Sequence, residues 1–118
     1  MNKIYNNLNI ENLMKTELFN QFSESQKPQI RLRLKENLDV SIYAKPEFDS
    51  IEMREIIKGL QAGLDVSIYA KTQFDDEQMF QIKSGLEDNL DVSIYAKSDY
   101  KYYEMKEIRE KLENEQNI

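Results

Sequence analysis

The sequence predicts an all-α protein, a short α-solenoid of about 3.5 helix-turn-helix repeats with a degenerate N-terminal cap. The segment Leu-Asp-Val-Ser-Ile-Tyr-Ala-Lys occurs three times, starting at Leu38, Leu64 and Leu90, at a constant spacing of 26 residues. An amphipathic helical pattern follows the first two copies, and a more polar version of it follows the third. A period of about 20–50 residues is typical of stacked supersecondary units.

The second part of each unit has the apolar spacing of a helix, which we predict at 49–63 in the first unit. Its apolar residues stand at i, i+3, i+4 and i+7 and form one stripe: Met53, Ile56, Ile57 and Leu60. Asp49 and Glu52 match a capping box, and Asp75 and Gln78 repeat it one unit later. Residues that tolerate the left-handed conformation end the two helices: Gly63 and Asn89.

The first part of each unit, 38–44 in the first copy, is compatible with two structures. Val40, Ile42 and Tyr43 favour a strand by propensity. A short helix capped by Asp39 instead buries most of the segment, and Pro46 would end it. We favour the helix, which would leave only Ser41 and Lys45 pointing outward, and keep a strand-and-helix solenoid as the alternative.

The predicted units are 38–63, 64–89 and 90–118, the last including a C-terminal cap. Residues 10–37 are predicted to form a degenerate capping repeat, because three of their apolar residues fall in register with the first unit: Phe22, Ile30 and Leu34. Residues 1–9 are predicted to be a flexible tail. The whole chain is then one domain.

The composition excludes most catalytic chemistry. The chain has no histidine and no cysteine, so Ser-His and Cys-His nucleophiles and common zinc sites cannot form within one chain. The acidic run Asp75-Asp76-Glu77 lacks the alternating ligands of a calcium loop and suits a helix N-terminus instead. We expect no enzymatic activity, no cofactor and no metal.

The charge distribution constrains the partner. The net charge is −6, and residues 38–118 carry eighteen acidic and ten basic side chains. Such an acidic array should not bind nucleic acid directly, but it could attract a basic protein. No apolar run approaches the ~20 residues of a membrane span, and no signal peptide is evident, so we expect a cytoplasmic protein without membrane contact.

Comparison of the three units separates a fixed segment from a variable one. All eight residues of the repeated segment are identical, but only three of the remaining eighteen positions are. Packing explains the apolar residues and the capping Asp, but it explains less well why Ser and Lys recur. We therefore keep two hypotheses, a core segment and a binding ladder along one surface. The ladder comprises Ser41, Tyr43, Lys45, Ser67, Tyr69, Lys71, Ser93, Tyr95 and Lys97. Tyrosine is never replaced by phenylalanine, so its hydroxyl should have a partner.

The variable helix positions suggest further candidates. The sets Arg54/Phe80/Lys106 and Ile57/Lys83/Arg109 differ freely, as expected of drift on a solvated face or adaptation to a partner. Phe80 is a large aromatic at a predicted outer position, which suggests a contact site. In the last unit, Tyr102 and Tyr103 could cover the open end or mediate self-association.

The units resemble short tandem repeats in proteins of gram-positive bacteria and their mobile elements. The matching residues are Leu-Asp-Val-Ser-Ile-Tyr-Ala-Lys-Pro-Glu-Phe from Leu38, followed by Met53, Ile56 and the Gly59-Leu60 pair. The resemblance covers about two-thirds of the chain. It implies a role in host–element interaction and no site residues. The last unit departs from the pattern at Lys101 and Lys111.

From these features we expect a non-enzymatic repeat scaffold that mediates protein–protein interaction. The alternative is a phage or mobile-element inhibitor of a host nucleic-acid-binding defence protein, acting through an acidic surface. A continuous row of acidic side chains would favour the alternative, and interspersed basic side chains would favour the scaffold.

Overall fold

The computed structural model describes residues 17–34, 36 and 38–116, and its regular elements are all helical. None of these residues lies in a strand, so the predicted all-α class is confirmed and the strand-and-helix alternative is wrong. The α-helices are α1 (Glu17–Asn20), α2 (Lys27–Leu34), α3 (Ser50–Gln61), α4 (Asp76–Glu87) and α5 (Tyr102–Gln116). Three 3-10 turns precede the last three helices: η1 (Val40–Ile42), η2 (Val66–Ile68) and η3 (Val92–Ile94). The predicted tail at 1–9 and residues 10–16 of the predicted cap lie outside the described residues.

The repeated eight-residue segment forms a single 3-10 turn rather than a longer helix. Asp39 is its N-cap, as predicted, and Tyr43 N–H donates to Val40 O at 3.1 Å to close it. Proline does not end the turn, contrary to our prediction for Pro46. The turn has the same bounds in the other two units, where Thr72 and Ser98 occupy the proline position. The shared sequence therefore sets the length of the turn.

The predicted start and stop signals of α3 and α4 are confirmed. Asp49 Oδ1 accepts from Glu52 N–H at 2.7 Å, and Glu52 Oε1 accepts from Asp49 N–H at 2.9 Å. Asp75 and Gln78 form the same capping box in α4. At the other end, Leu64 N–H donates to Gly59 O at 2.9 Å, the bond of a Schellman motif. The left-handed residues that permit these ends are Gly63, with φ of 75°, and Asn89, with φ of 60°.

One hydrophobic cluster runs through all units. Each unit contributes a valine and a tyrosine from its 3-10 turn, an aromatic residue from the following loop, and residues of the helix stripe. In the first unit the buried residues are Val40, Tyr43, Phe48, Met53, Ile56 and Ile57. Phe22 and Ile30 are buried in the same register, ahead of the first complete unit. A core of this kind is shared between neighbours, because no single unit encloses its own apolar face.

The long helices pack side by side in chain order. Arg109 Nε donates to Gln81 Oε1 at 3.0 Å, and Gln116 Nε2 donates to Asp88 O at 3.3 Å, so two contacts between α4 and α5 join residues 28 positions apart. A constant offset means that the two helices run in the same direction. The molecule extends 52 × 24 × 19 Å.

A polar side chain bridges alternate junctions between units. Gln26 Nε2 donates to Phe48 O at 2.5 Å, and Gln78 Nε2 donates to Tyr100 O at 2.7 Å. Glu52 occupies the equivalent position in the intervening unit, where an ionised carboxylate cannot donate. Burial raises the pKa of Glu52, and the negative charges of neighbouring aspartates add to this, although the Asp49 N–H bond opposes it.

Candidate functional site

The repeated aspartate and serine stabilise each 3-10 turn. Asp39 Oδ1 accepts from both Ser41 N–H, at 3.2 Å, and Ser41 Oγ, at 2.5 Å. The same two bonds recur at Ser67 and Ser93. Each serine hydroxyl thus donates within the turn, which gives the recurrence of serine a structural reason that does not require a partner.

The repeated tyrosines lie in the core, so the predicted surface ladder is wrong for Tyr43, Tyr69 and Tyr95. Each side chain is 0% exposed. The predicted hydroxyl partner exists, however, because each hydroxyl donates to a carbonyl of the preceding helix. The bonds are Tyr43 to Gln29 O at 2.8 Å, Tyr69 to Glu55 O at 2.7 Å and Tyr95 to Gln81 O at 2.7 Å. Burial places the large apolar ring out of water while the hydroxyl stays bonded.

Burial also keeps two of these hydroxyls, those of Tyr69 and Tyr95, in the protonated state. It raises the pKa of Tyr69 and of Tyr95 well above the ordinary value for tyrosine, because the phenolate would lose its hydration. The hydroxyls therefore stay protonated and remain donors. A phenylalanine at these positions would leave the helix carbonyl without this donor, which explains the absence of that exchange.

Two glycines make room for this docking. A Cβ on Gly59 would lie 2.1 Å from Tyr69 Oη and 2.6 Å from Val66 Cγ1, and Gly85 has the same relation to the next unit. The element that approaches each glycine closely is the 3-10 turn of the following unit. Lys111 occupies this position in α5, on which none of the three repeated segments docks. Arg33 stands at the equivalent position of α2. Aligned by the 26-residue period, α2 ends one residue earlier than α3.

Of the four polar residues of the repeated segment, the lysine is the one whose side chain makes no hydrogen bond or ion pair within the described residues. Lys45, Lys71 and Lys97 are exposed, and their ammonium groups make no hydrogen bond or ion pair within the described part of the chain. Their backbone amides, by contrast, help close the loop after each turn, as in the bond from Lys45 N–H to Tyr43 O at 2.7 Å. The lysine row therefore remains the part of the predicted ladder that is open to a partner.

One set of variable positions joins neighbouring units and is not solvated, contrary to our expectation for the set Ile57/Lys83/Arg109. Ile57 and Lys83 are buried, and Arg109 is partly buried. Lys83 Nζ lies 2.9 Å from Glu55 Oε1 across the α3–α4 junction, and Arg109 bonds Gln81 across the next one. The residue at the position of Lys83 and Arg109 therefore differs between units according to the side chain that it contacts on the preceding helix.

The exposed apolar side chains concentrate on another side of the helices. Four such residues lie near the start of the helices. Ile51 lies in α3, and Phe80 in α4 is equivalent to position 54 of α3. In α5, Tyr102 and Tyr103 are equivalent to positions 50 and 51. The four side chains are between 41% and 54% exposed. Only two other described large apolar residues are so exposed, Leu32 and Ile94. We call these four residues the exposed apolar face. It includes the predicted candidates Phe80, Tyr102 and Tyr103.

A groove opens on this face between α4 and the start of α5. It has a volume of about 240 Å³ and is lined by Glu55, Asp76, Glu77, Phe80, Gln81 and Tyr102. Lys83 Nζ lies 5.0 Å from the centroid of the Phe80 ring, while it also pairs with Glu55. Tyr102 and Tyr103 pack edge to face, with ring centroids 5.6 Å apart. The groove thus combines aromatic surface with carboxylates.

The sequence indicated the aromatic residues of the groove, Phe80 and Tyr102, as contact candidates, and it assigned Asp76 and Glu77 only to a helix N-terminus. Ile51, which belongs to the exposed apolar face but does not line the groove, was not among the predicted contact residues. It lies outside the apolar stripe of α3 and is equivalent to Tyr103 of α5. This equivalence to Tyr103 was the sequence feature that could have identified Ile51 as a contact residue. Glu55 and Gln81 were not identifiable, because their place in the groove depends on how α3 and α4 pack.

The described residues include no cluster of three or more side chains suited to hold a metal ion. Among them, no helix is long and apolar enough to cross a membrane. Comparison with known proteins found no matching protein family, no matching curated protein and no matching solved structure.

Proposed function

We propose that this protein is a non-enzymatic α-solenoid scaffold that binds another protein through the exposed apolar face. The observation that carries the proposal is the grouping of Ile51, Phe80, Tyr102 and Tyr103 on one side of successive helices. Phe80 and Tyr102 line one groove, and Tyr102 contacts Tyr103. Singly scattered apolar residues are normal on a protein surface, whereas a contiguous patch marks an interaction site. Tyrosine and phenylalanine are also enriched at interfaces.

The helix packing supports the solenoid part of the proposal. Contacts at a constant offset relate α4 to α5, and the Glu55–Lys83 pair has the same offset between α3 and α4. Each tyrosine also docks on the preceding helix through an equivalent bond. Repetition of one junction is the defining property of a solenoid, in which each unit contacts mainly its neighbours.

The charge pattern favours the scaffold over an acidic-surface inhibitor of a host nucleic-acid-binding protein. Arg54 and Lys106 stand at the position of Phe80 in the adjacent helices and are exposed, so basic side chains lie among the acidic ones on the helix surface. An inhibitor that imitates a phosphate backbone would require closely and regularly spaced negative charges. The host–element role implied by the repeat resemblance is compatible with a scaffold.

The test is selection of binding peptides from a random twelve-residue display library against the wild-type protein and the Phe80→Ala variant. We expect enriched peptides that bind the wild type and lose at least about tenfold in affinity on the variant, as for a buried aromatic anchor. Phe80 is exposed, so the variant should unfold at the same urea concentration as the wild type. Absence of any enriched peptide that depends on Phe80 would contradict the proposal.

A further inference from the structure

We propose that the groove receives a single arginine or lysine side chain from an extended basic segment of the partner. This inference rests on the proposed function, because it names the chemistry that the exposed apolar face recognises. The groove is lined by three carboxylates and two aromatic rings, and none of its six lining residues is cationic.

Two of the three carboxylates in the groove, those of Asp76 and Glu77, are available to pair with a cation. Within the described part of the chain, the side chains of Asp76 and Glu77 make no hydrogen bond or ion pair, while Glu55 is paired with Lys83. Lys83 supplies one positive charge against the three negative charges of the lining. Arg109, which bonds the lining residue Gln81, is itself paired with Glu113. The groove therefore keeps an excess of negative charge beside an open volume, and a basic side chain complements it.

The aromatic rings favour the same occupant. A cation over an aromatic face is attracted by the ring quadrupole. Lys83 Nζ already occupies one such position over Phe80, at 5.0 Å from the ring centroid, so a second cation would use the exposed remainder of this ring. Tyr102 is 41% exposed and offers a second ring at the start of α5. An apolar occupant would contact the rings but would remove water from the carboxylates without replacing their hydrogen bonds.

The size of the groove limits the occupant to one side chain. Its volume of about 240 Å³ is below the roughly 300–1,000 Å³ of sites that enclose drug-sized ligands. The remaining contacts of a partner would then come from the open surface around Ile51 and Tyr103. An extended segment suits this arrangement, because it can present one side chain to the groove while its backbone runs along the face.

The experiment uses peptides recovered from the random library and compares each with a copy in which one basic residue is neutral. Arginine is replaced by citrulline, which keeps the shape, and lysine by norleucine. Titration calorimetry should show that the neutral copy loses about tenfold or more in affinity, since the cation contributes both ion pairing and cation–π attraction. Binding should also weaken in higher salt.

The protein variants give an independent readout. Asp76→Asn with Glu77→Gln should weaken the basic peptide several-fold and leave its neutral copy unchanged. The control is Glu47→Gln with Glu110→Gln, which removes the same charge at exposed positions outside the groove and should have no effect. Both double variants keep the Asp75–Gln78 capping box, so circular dichroism should match the wild type.

The outcomes separate this inference from the proposed function. Peptides that depend on Phe80 but bind equally well after neutralisation would overturn the basic-side-chain inference and leave the scaffold proposal standing. A library that yields no Phe80-dependent peptide would overturn both. A dimer in sedimentation velocity that dissociates in Phe80→Ala would mean that a second copy occupies the face, and it would also overturn the inference.

Discussion

Gly59→Ala tests whether tyrosine docking holds successive units together. The added Cβ would lie 2.1 Å from Tyr69 Oη and 2.6 Å from Val66 Cγ1, whereas ordinary contacts are 3.4–4 Å. The turn η2 must therefore shift by about 1 Å or more, or the tyrosine must tilt away from Glu55 O. Either movement disturbs two side chains that are almost fully buried.

The expected cost follows from opposing terms. Overpacking a core costs about 1–3 kcal/mol, and a buried hydroxyl that loses its partner costs about 1–3 kcal/mol. Replacing glycine by alanine inside a helix gains about 1 kcal/mol. With both costs present, the net destabilisation is about 1–5 kcal/mol, which is a large part of a typical stability of about 5–15 kcal/mol.

The assay is urea unfolding followed by far-UV circular dichroism, with internal controls. Gly85→Ala should have the same effect, because Tyr95 and Val92 stand at matching distances. Lys111→Ala changes the same register position in α5, on which none of the three repeated segments docks, and should cost less than about 0.5 kcal/mol. In a Tyr69→Phe background the nearest clash is absent, so Gly59→Ala should cost at least about 1 kcal/mol less than in the wild type.

Two results would refute this reasoning. The first is a Gly59→Ala protein at least as stable as the wild type, which would mean that helix propensity outweighs the clash. The second is a Lys111→Ala cost equal to that of Gly59→Ala, which would mean that the position matters for the helix itself and not for the docking.

Three further predictions concern the junctions and the surface. Glu52→Gln should stabilise the protein by about 1 kcal/mol at neutral pH, because an amide can donate to the next loop as Gln78 does. The folded-state pKa of Glu52 is raised, so the stability of the wild type should fall as pH rises through that pKa. Below the ordinary pKa of 4.5 the carboxyl is protonated in both states, and the stability advantage of the variant should vanish. An advantage that urea titrations show to be independent of pH would contradict this. Deleting the complete unit 64–89 places Arg109 opposite Glu55 and should leave a helical protein that melts cooperatively. Deleting only 64–76, half of a unit, should not leave a protein that melts cooperatively. A molten product of the first deletion would count against the solenoid. Replacing the exposed lysine row by alanine should change the unfolding free energy by less than about 1 kcal/mol, because the three ammonium groups make no hydrogen bond or ion pair with described residues. Any larger loss would assign the row a structural role. The row comprises Lys45, Lys71 and Lys97.

The helices and their ends were predictable from the sequence because they depend on interactions within a few residues. The predicted helix at 49–63 contains the observed Ser50–Gln61. The Asp49 cap and the left-handed Gly63 lie where the residue types require them. The 26-residue period likewise indicated a repeated unit with a shared core, and the unvarying tyrosine indicated a bonded hydroxyl.

The direction in which each side chain points was decided by packing between units. Tyr69 is buried, although its segment could have been a binding ladder, because its hydroxyl reaches Glu55 O in the preceding unit. Lys83 is buried, although its position varies, because Glu55 lies opposite it. The helix pattern alone does not reveal such partners, since they stand 14 or more residues away in the chain. The sequence by itself therefore determined the elements and their period. Only the tertiary structure decided which residues join the units and which, like Ile51 and Phe80, remain for a partner.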